Sequence, residues 1–272
     1  MIIPIPGDRL MTATSFPLSS LPLLLVALFG FITFMGARAW RTGTLTRSEA
    51  ALLFGFFAAG ALWTWVCAEL ALSGTARSAE FLFWLPGLWL PYTIILILQP
   101  LRLMAFGRQA LYKLMDEVPP AAIVALEGLR ILGLGTLIKT FQGTFPVHFE
   151  VLTGIPDLLF GFSALAVLWL IARGKITWRG LVLWHLAGLF LLVPAGLFIQ
   201  LGLPGPLQLF SSPPTSLALF EFPMILAPAS AVPLFAFINV WSVLWLRRRR
   251  PENLLAPYAR STAAAMEKKA QA

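Results

Sequence analysis

Residues 121–141 read AAIVALEGLRILGLGTLIKTF, a run long enough to cross a membrane but interrupted by Glu127, Arg130 and Lys139. A transmembrane helix needs about 20 apolar residues to span a hydrocarbon core roughly 30 Å thick. This run has the length, yet its three charges make it the weakest of seven such runs in the chain. Whether it crosses the membrane decides the number of spans and the side on which the chain ends.

The composition predicts a membrane protein. Of the 272 residues, 58% are apolar and 12% are charged, whereas soluble domains carry about 25% charged residues. A water-soluble fold of this composition would expose large apolar patches and aggregate. The net charge of +8 would indicate a nucleic-acid partner in a soluble chain. Here the charges fall in short connections and in the tail, so we expect no nucleic-acid binding.

The apolar runs predict an all-α membrane protein, a seven-transmembrane helical bundle. It forms a single domain over residues 1–246, with a basic cytoplasmic tail over residues 247–272. The predicted spans lie at about 18–37, 50–72, 81–99, 121–141, 155–172, 181–202 and 223–246. Prolines in the third and last spans predict kinks, because a proline leaves helix carbonyls without partners. Between spans, residues 104–117 indicate an interfacial amphipathic helix. Residues 203–222 indicate a segment that lies on the outer interface or folds back as a short cap over the bundle.

The distribution of basic residues predicts the orientation, since cytoplasmic loops of membrane proteins are enriched in Lys and Arg. Three basic residues lie in each of the first, third and fifth connections and seven in the tail, while the alternate segments hold only Arg9 and Arg77. The alternation requires residues 121–141 to cross the membrane, because otherwise the last three spans invert. We therefore expect the N-terminus outside and the C-terminus in the cytoplasm, in the plasma (inner) membrane.

A cleaved signal peptide is the alternative for the first span. Residues 22–34 have the length of a hydrophobic signal region, and residues 37–39 resemble a small-residue cleavage site. However, only Arg9, offset by Asp8, precedes this run, and three arginines follow it. A signal peptide has its positive charge before the apolar run, so the charge pattern favours a retained first span.

Charged groups within spans are costly and mark either a function or a paired structural contact. Glu127 and Arg130 lie three residues apart, on one face of the fourth span and near its midpoint. They predict either a ligand or proton site inside the bundle or an ion pair that fixes this helix against its neighbours. Lys139 and Asp157 fall in the outer half, where they pair directly or Asp157 reaches Arg130. Asp157 also fits the capping role of a residue at a helix start.

Other residues exclude several classes of site. Cys67 is the only cysteine and lies in an apolar run, so the chain has no intrachain disulfide or cysteine-based metal site. His148 and His185 fall at opposite faces, which excludes bis-histidine haem ligation, and we expect neither a metal nor a cofactor. His185 and Asn239 are expected to form hydrogen bonds between helices. A Ser-His-Asp arrangement and a nucleotide-binding glycine motif are both lacking.

A pattern of glycines, prolines and charged residues runs through the second half of the chain. It consists of Arg130-x2-Gly133, Gly143-x2-Pro146-x2-Phe149, Gly154-x2-Asp157-x3-Gly161, Trp184-x3-Gly188 and Pro223-x4-Pro228-x3-Val232-Pro233-Leu234. In this pattern the chain resembles a set of uncharacterised bacterial multi-pass membrane proteins with no known activity. The resemblance implies a bacterial origin and points to Arg130 and Asp157, but it implies no reaction.

These observations lead to three hypotheses of function. The first is binding or transport of a small or lipid-like molecule in a pocket that opens outward between spans four to seven. Its candidate ligand-binding residues are Arg130, as an anion anchor, with Glu127, Asp157 and Lys139. The second is a structural or assembly subunit of a larger membrane complex, which would contact partners through residues 203–222 and tryptophan-rich faces. A membrane-embedded enzyme is the third. The expected partners are the lipid bilayer, a small ligand and, for the second hypothesis, other membrane proteins.

Overall fold

The computed structural model describes residues 19–249. All regular structure in this range is helical, and the range contains no β-strand. The predicted all-helical fold class is therefore confirmed. Arg9 and the part of the predicted basic tail from residue 250 onwards lie outside the described residues.

Twelve α-helices and several short irregular turns make up the described fold. The α-helices are α1 (Leu21–Arg41), α2 (Arg47–Leu72), α3 (Ala79–Phe83), α4 (Pro86–Leu103), α5 (Ala105–Glu117), α6 (Pro120–Gly128), α7 (Leu134–Phe141), α8 (Val147–Phe149), α9 (Ile155–Ala172), α10 (Trp178–Leu192), α11 (Ala195–Leu201) and α12 (Val232–Arg249). The turns of 3₁₀ type are Thr75–Arg77, Leu129–Gly133 and Ser216–Phe220, and those of π type are Glu150–Gly154 and Ala227–Ala231.

Several of these helices join end to end into stretches that can cross a membrane. Among residues 19–249, six stretches are long and apolar enough: Leu21–Arg41, Arg47–Leu72, Pro120–Phe141, Val147–Ala172, Trp178–Leu201 and Ala227–Arg249. The number is up to seven if α4 and α5, which are bent by 101° at their junction, count as one span. The run that carries Glu127 and Arg130 is one of the six, so its charges do not prevent a long apolar helix.

The region predicted as the third span is divided into several helices. The short helix α3 ends at Phe83, and Leu85 has a left-handed backbone (φ 56°) that turns the chain before α4 begins at Pro86. Proline suits this first helical position, because its missing N–H group would have no partner there. The predicted span 81–99 thus covers the end of α3 and most of α4, which continues to residue 103.

A glycine makes the sharp bend between α4 and α5 sterically accessible. A Cβ atom on Gly107, near the start of α5, would lie 2.7 Å from the carbonyl oxygen of Leu101, near the end of α4. Only glycine lets the two backbones approach so closely. The helix α5 therefore turns away from the axis of α4, and it corresponds to the amphipathic helix predicted over residues 104–117.

The helix α5 lies at one end of the bundle, which we call the basic end. This end also carries the connection from α1 to α2, the connection from α9 to α10 and the last turn of α12. Lys113 Nζ lies 2.8 Å from Glu49 Oε1, which joins α5 to α2. Asp116 Oδ1 accepts a hydrogen bond from Trp245 Nε1 (2.8 Å) and pairs with Arg249, which joins α5 to α12.

The opposite end of the bundle carries the long connection over residues 203–222. Within it, Leu219 and Phe220 are fully buried, so this segment packs onto the bundle as a cap. An ion pair between Arg77 Nη1 and Glu221 Oε1 (2.7 Å) joins the cap to the connection between α2 and α3.

The stretch that contains α10 and α11 is broken at Pro194, between the end of α10 and the start of α11. After the break, α11 crosses α4 with the two backbones in contact. A Cβ atom on Gly87 would lie 2.5 Å from the backbone nitrogen of Gln200. The Gln200 side chain accepts a hydrogen bond from Gly87 N at 3.1 Å, so the crossing is fixed by a polar contact as well as by shape.

The last described helix forms the centre of the bundle. In the stretch Ala227–Arg249, 78% of the apolar 18-residue segment is buried inside the protein, against 22–39% of the corresponding segments in the other five stretches. Large apolar side chains on those outer stretches, such as Leu23, Leu165 and Phe190, are exposed, as expected for helices that face lipid. The other helices therefore pack around α12 and the π turn before it.

Candidate functional site

Four of the long helical stretches lose regular α geometry where they meet one cavity. Between α6 and α7 the chain forms the 3₁₀ turn Leu129–Gly133, and between α8 and α9 the π turn Glu150–Gly154. The break at Pro194 and the π turn Ala227–Ala231 are the other two. Residues from or directly beside all four irregular segments line the cavity. Irregular turns inside helices are frequent at functional sites, which makes this cavity the leading candidate.

The cavity has a volume of about 80 Å³ and a mostly apolar lining. A water molecule occupies about 30 Å³ in the liquid, so the space holds more than one water or a small organic group. It is partly open, and Leu132 in its lining is 39% exposed. Four lining residues have polar side chains: Arg130, Thr136, Thr153 and Asp157. The apolar lining includes Leu21, Leu24, Pro91, Phe149, Ala195, Ile199, Ala231 and Phe235.

Arg130 joins two carboxylates inside the bundle. Its Nη2 atom lies 2.8 Å from Glu127 Oε2 and its Nη1 atom 2.9 Å from Asp157 Oδ1. The guanidinium carbon lies 4.6 Å from the ring centre of Phe160 and 5.0 Å from that of Phe235. The side chains of Arg130 and Glu127 are 0% exposed, whereas that of Asp157 is 21% exposed. Asp157 is therefore the accessible member of this ion triad.

A chain of hydrogen bonds extends from Glu127 to α10. Asn239 on α12 donates from Nδ2 to Glu127 Oε1 (3.0 Å) and to the carbonyl oxygen of Phe235 (2.9 Å). Because Glu127 and the Phe235 carbonyl both accept, the orientation of the Asn239 amide is fixed. The Asn239 Oδ1 atom lies 2.8 Å from His185 Nδ1. Since an amide oxygen can only accept, His185 carries its proton on Nδ1. The predicted inter-helix hydrogen bonds of His185 and Asn239 are thus present, and they belong to one network with Arg130.

Two buried polar side chains beside Asp157 lack the hydrogen bonds that burial normally requires. Glu150 is 1% exposed and Thr153 is 4% exposed. Among residues 19–249, neither carboxylate oxygen of Glu150 nor Thr153 Oγ1 has a hydrogen-bond partner of ordinary geometry. The Thr136 hydroxyl is a polar neighbour of Glu150, but it donates to the carbonyl oxygen of Gly133 (2.8 Å). The Glu150 carboxylate lies against Gly154, where any Cβ atom would collide with it.

Of the four predicted ligand-binding residues, three meet and one does not. Arg130, Glu127 and Asp157 form the ion triad. The Nζ atom of Lys139 instead lies 3.2 Å from Met224 Sδ, and no hydrogen bond or ion pair within residues 19–249 joins it to Asp157. Of the two arrangements expected for Asp157, the structure has the one in which it reaches Arg130.

Glycines and aromatic rings shape the space around Arg130. A Cβ atom on Gly161 would lie 2.8 Å from Ile131 N, so only glycine lets α9 approach the 3₁₀ turn of Arg130 this closely. Gly188 leaves room for the ring of Phe160. The Phe160 ring stacks on Trp184, with ring centres 4.6 Å apart, and it also contacts the Arg130 guanidinium. Gly161, Trp184 and Gly188 belong to the pattern described in the sequence, and they surround the guanidinium or the ring that contacts it.

Glu150 and Thr153 were not predicted as site residues, because loop ends are normally solvated and both lie near the start of a span. A signal was present nevertheless. Glu150, Thr153, Gly154 and Asp157 have the spacing i, i+3, i+4 and i+7, which places them on one helix face. A charged and polar stripe beside Asp157 could have been found from this spacing.

Residues 88–247, more than half of the chain, match a family described as a domain of unknown function (DUF8737). The chain belongs to the DUF8737 family. The DUF8737 match runs from α4 to α12 and contains every residue of the ion triad, its hydrogen-bond chain and the Glu150–Gly154 turn. No curated protein and no solved structure gives a significant match. The resemblance to an uncharacterised family, expected from the sequence pattern, is confirmed at the level of a DUF8737 domain.

Proposed function

We propose that the protein binds a small or lipid-like molecule in the cavity beside Asp157, as a binding or transport protein of the membrane. The observation that carries this proposal is the cavity itself: four helices lose regular geometry around one partly open, mostly apolar space with a few convergent polar groups. Small-molecule sites in proteins have this character. Its partly open form and the exposed Leu132 in its lining support access from within the bilayer.

The proposed topology has seven spans, with α4 and α5 counted as one, in the plasma membrane of a bacterium. The basic end would face the cytoplasm, as the positive-inside rule requires, and the N-terminus would lie outside. In this topology the cavity belongs to the outer half of the membrane, because its lining residues come from the helix ends remote from the basic end.

Two glycines of the same helical stretch offer a matched test of ligand binding. A Cβ atom on Gly133, which lines the cavity, or on Gly135, which does not, would meet no atom within 4 Å. Neither residue has a positive φ, so a leucine is tolerated by the backbone at both. The probes are hexanol, hexanoate and hexylammonium, added to protein purified in dodecyl maltoside.

At least one of these probes should raise the thermal unfolding midpoint of the wild-type protein to a plateau, because a ligand that binds only the folded state stabilises it. The plateau should vanish in Gly133→Leu, which adds a large side chain at a lining position, and persist in Gly135→Leu. Failure of all three probes to give a saturable shift, or equal loss in both variants, would contradict binding in this cavity.

A second candidate is a subunit of a larger membrane complex, and the end opposite the basic end favours it. There, Phe83, Trp84, Phe141 and Leu209 are each at least 68% exposed, and apolar exposure of this kind can serve as a contact surface. Purification in a mild detergent tests this candidate. A stoichiometric partner that is lost on Phe141→Ser would support it, whereas a purified monomer that binds a probe would favour the first proposal.

A further inference from the structure

Acidic side chains outnumber basic ones around the cavity. Glu127 and Glu150 are buried beside the cavity wall and Asp157 lines it, and Arg130, which also lines it, is the basic group among these four. Within residues 19–249, the other nearby helices contribute only neutral contacts to the set: α12 offers the amide of Asn239, and His185 on α10 contacts that amide. Uncompensated charge is costly inside a membrane protein. The acidic excess must be compensated by protons or by a bound cation.

Arg130 and Asp157 are the two charged residues that line the cavity, and of these Asp157 has the more accessible side chain. Arg130 has no exposed side-chain surface, because it is enclosed by two carboxylates and two aromatic rings. Asp157 uses Oδ1 for Arg130 and keeps 21% of its side chain exposed, and within the described residues its Oδ2 atom has no hydrogen bond. A ligand in the cavity would therefore meet the negative end of the triad. The expectation that Arg130 acts as an anion anchor is the competing hypothesis, and it predicts tightest binding of a carboxylate.

Unsatisfied acceptors lie beside Asp157, whereas the unsatisfied donors of the triad, Arg130 Nε and Nη2, are enclosed with Glu127 and the two aromatic rings. Among residues 19–249, the two Glu150 oxygens and the Thr153 hydroxyl oxygen are buried without a hydrogen bond of ordinary geometry, with the Thr136 hydroxyl as a polar neighbour of Glu150. A primary ammonium group carries three N–H donors and no acceptor, which complements this set. A metal ion is the weaker fit, since no three His, Cys, Asp or Glu side chains in the described range are placed to share one.

We infer that the ligand is a small alkylammonium ion, with Asp157 as its counter-ion, Thr153 and Glu150 as further acceptors and the apolar lining around its alkyl chain. This inference rests on the proposed binding function and specifies its ligand class. The volume of about 80 Å³ suits an ammonium group and a few carbons, and the partly open cavity allows a longer chain to extend towards lipid.

The three six-carbon probes separate this inference from the proposed function, because they differ only in the charge of the head group. Titration calorimetry in dodecyl maltoside at pH 7.5 should show hexylammonium binding at least about tenfold more tightly than hexanol, the usual gain from hydrogen bonds to a charged group. Hexanoate should bind most weakly. Gly133→Leu should remove the binding of hexylammonium and thereby exclude nonspecific partition into the micelle.

Asp157→Asn, which keeps the size of the side chain, should reduce the affinity for hexylammonium to that for hexanol. Glu80→Gln, an exposed carboxylate outside the cavity lining, should leave the preference unchanged. If the asparagine variant does not fold, the comparison of probes in the wild-type protein still decides. Equal affinities, or tightest binding of hexanoate, overturn the ammonium inference and leave the binding function standing, whereas no saturable binding of any probe overturns both.

Discussion

Arg130 is a buried charge whose surroundings account for its presence in a membrane helix. Two carboxylates, at 2.8 and 2.9 Å, and two aromatic rings enclose it. Such a buried ion set seldom adds net stability, but removal of one member leaves the others uncompensated. We therefore expect the set to make the local structure specific more than to stabilise the protein.

Replacement of Arg130 by methionine should lower the free energy of unfolding by about 3–5 kcal/mol, because Glu127 and Asp157 lose their shared cation in a buried site. Unfolding by SDS titration in mixed micelles measures this loss. The triple variant Arg130→Met, Glu127→Gln, Asp157→Asn should recover most of the stability, since no charge is then left unpaired. A single variant as stable as the wild type would show that the triad carries no structural constraint.

Gly161 should be intolerant of even one methyl group. A Cβ atom there would lie 2.8 Å from Ile131 N and 3.0 Å from the carbonyl carbon of Arg130, so Gly161→Ala must displace backbone and should cost about 1–3 kcal/mol. The control is Gly55→Ala in α2, where the new atom meets nothing within 4 Å and should stabilise the helix by up to about 1 kcal/mol. The same SDS titration measures the free energy of unfolding of both variants. Equal changes in Gly161→Ala and Gly55→Ala would refute the close approach of α9 to the 3₁₀ turn.

Sequence spacing predicted part of this site. The i, i+3 relation of Glu127 and Arg130 survives the 3₁₀ turn, because both side chains remain on the inner face. Contacts between distant segments were harder to predict: Asp157 had two possible partners, and only the packing of α9 against the 3₁₀ turn decided for Arg130. Glu150 was missed because its burial depends on Gly154 and on a π turn, neither of which hydropathy can register.

At the scale of helices, the apolar runs predicted an all-helical fold with several long apolar stretches, but not their internal geometry. Hydropathy averages over about 19 residues, so it cannot detect a 101° bend or a single π turn. The bend between α4 and α5 depends on the contact of Gly107 with Leu101, and the break before α11 on Pro194. Of these two causes, only Pro194 can be recognised from the sequence alone, because the Gly107 contact depends on tertiary packing.

The start of α2 is fixed by a capping box that also joins α2 to α5. Glu49 accepts a hydrogen bond from Thr46 N (2.9 Å), Glu49 N donates to Thr46 Oγ1 (3.3 Å), and Lys113 pairs with the same carboxylate. Glu49→Ala should therefore lower the free energy of unfolding by about 1–2 kcal/mol. Arg47→Ala, an exposed neighbour in the same turn, should change it by less than about 0.5 kcal/mol. If SDS titrations gave the same free energy of unfolding for Glu49→Ala and Arg47→Ala, the capping box would be dispensable.

At the scale of the whole molecule, the number of membrane crossings depends on α4 and α5. Cys67 is buried, and a Cys67→Ala background permits single-cysteine labelling with an impermeant maleimide. If α4 and α5 form one crossing, Thr42→Cys and Lys175→Cys lie on the same side of the membrane. With the basic end in the cytoplasm, both should react only in inverted vesicles, and Thr75→Cys only in right-side-out vesicles. Reaction of Thr42→Cys and Lys175→Cys from opposite sides would exclude the seven-span topology.

The central position of α12 has a consequence for biosynthesis. A chain is made and inserted from its N-terminus, and α12 follows every other described helix, so the helix around which the bundle packs is synthesised after the helices that surround it. Until it arrives, Glu127 and His185 lack Asn239, the residue that bridges them. Until α12 is inserted, the other described helices lack the helix around which they pack and these two polar groups lack their partner, so the described bundle is completed only when α12 has been made.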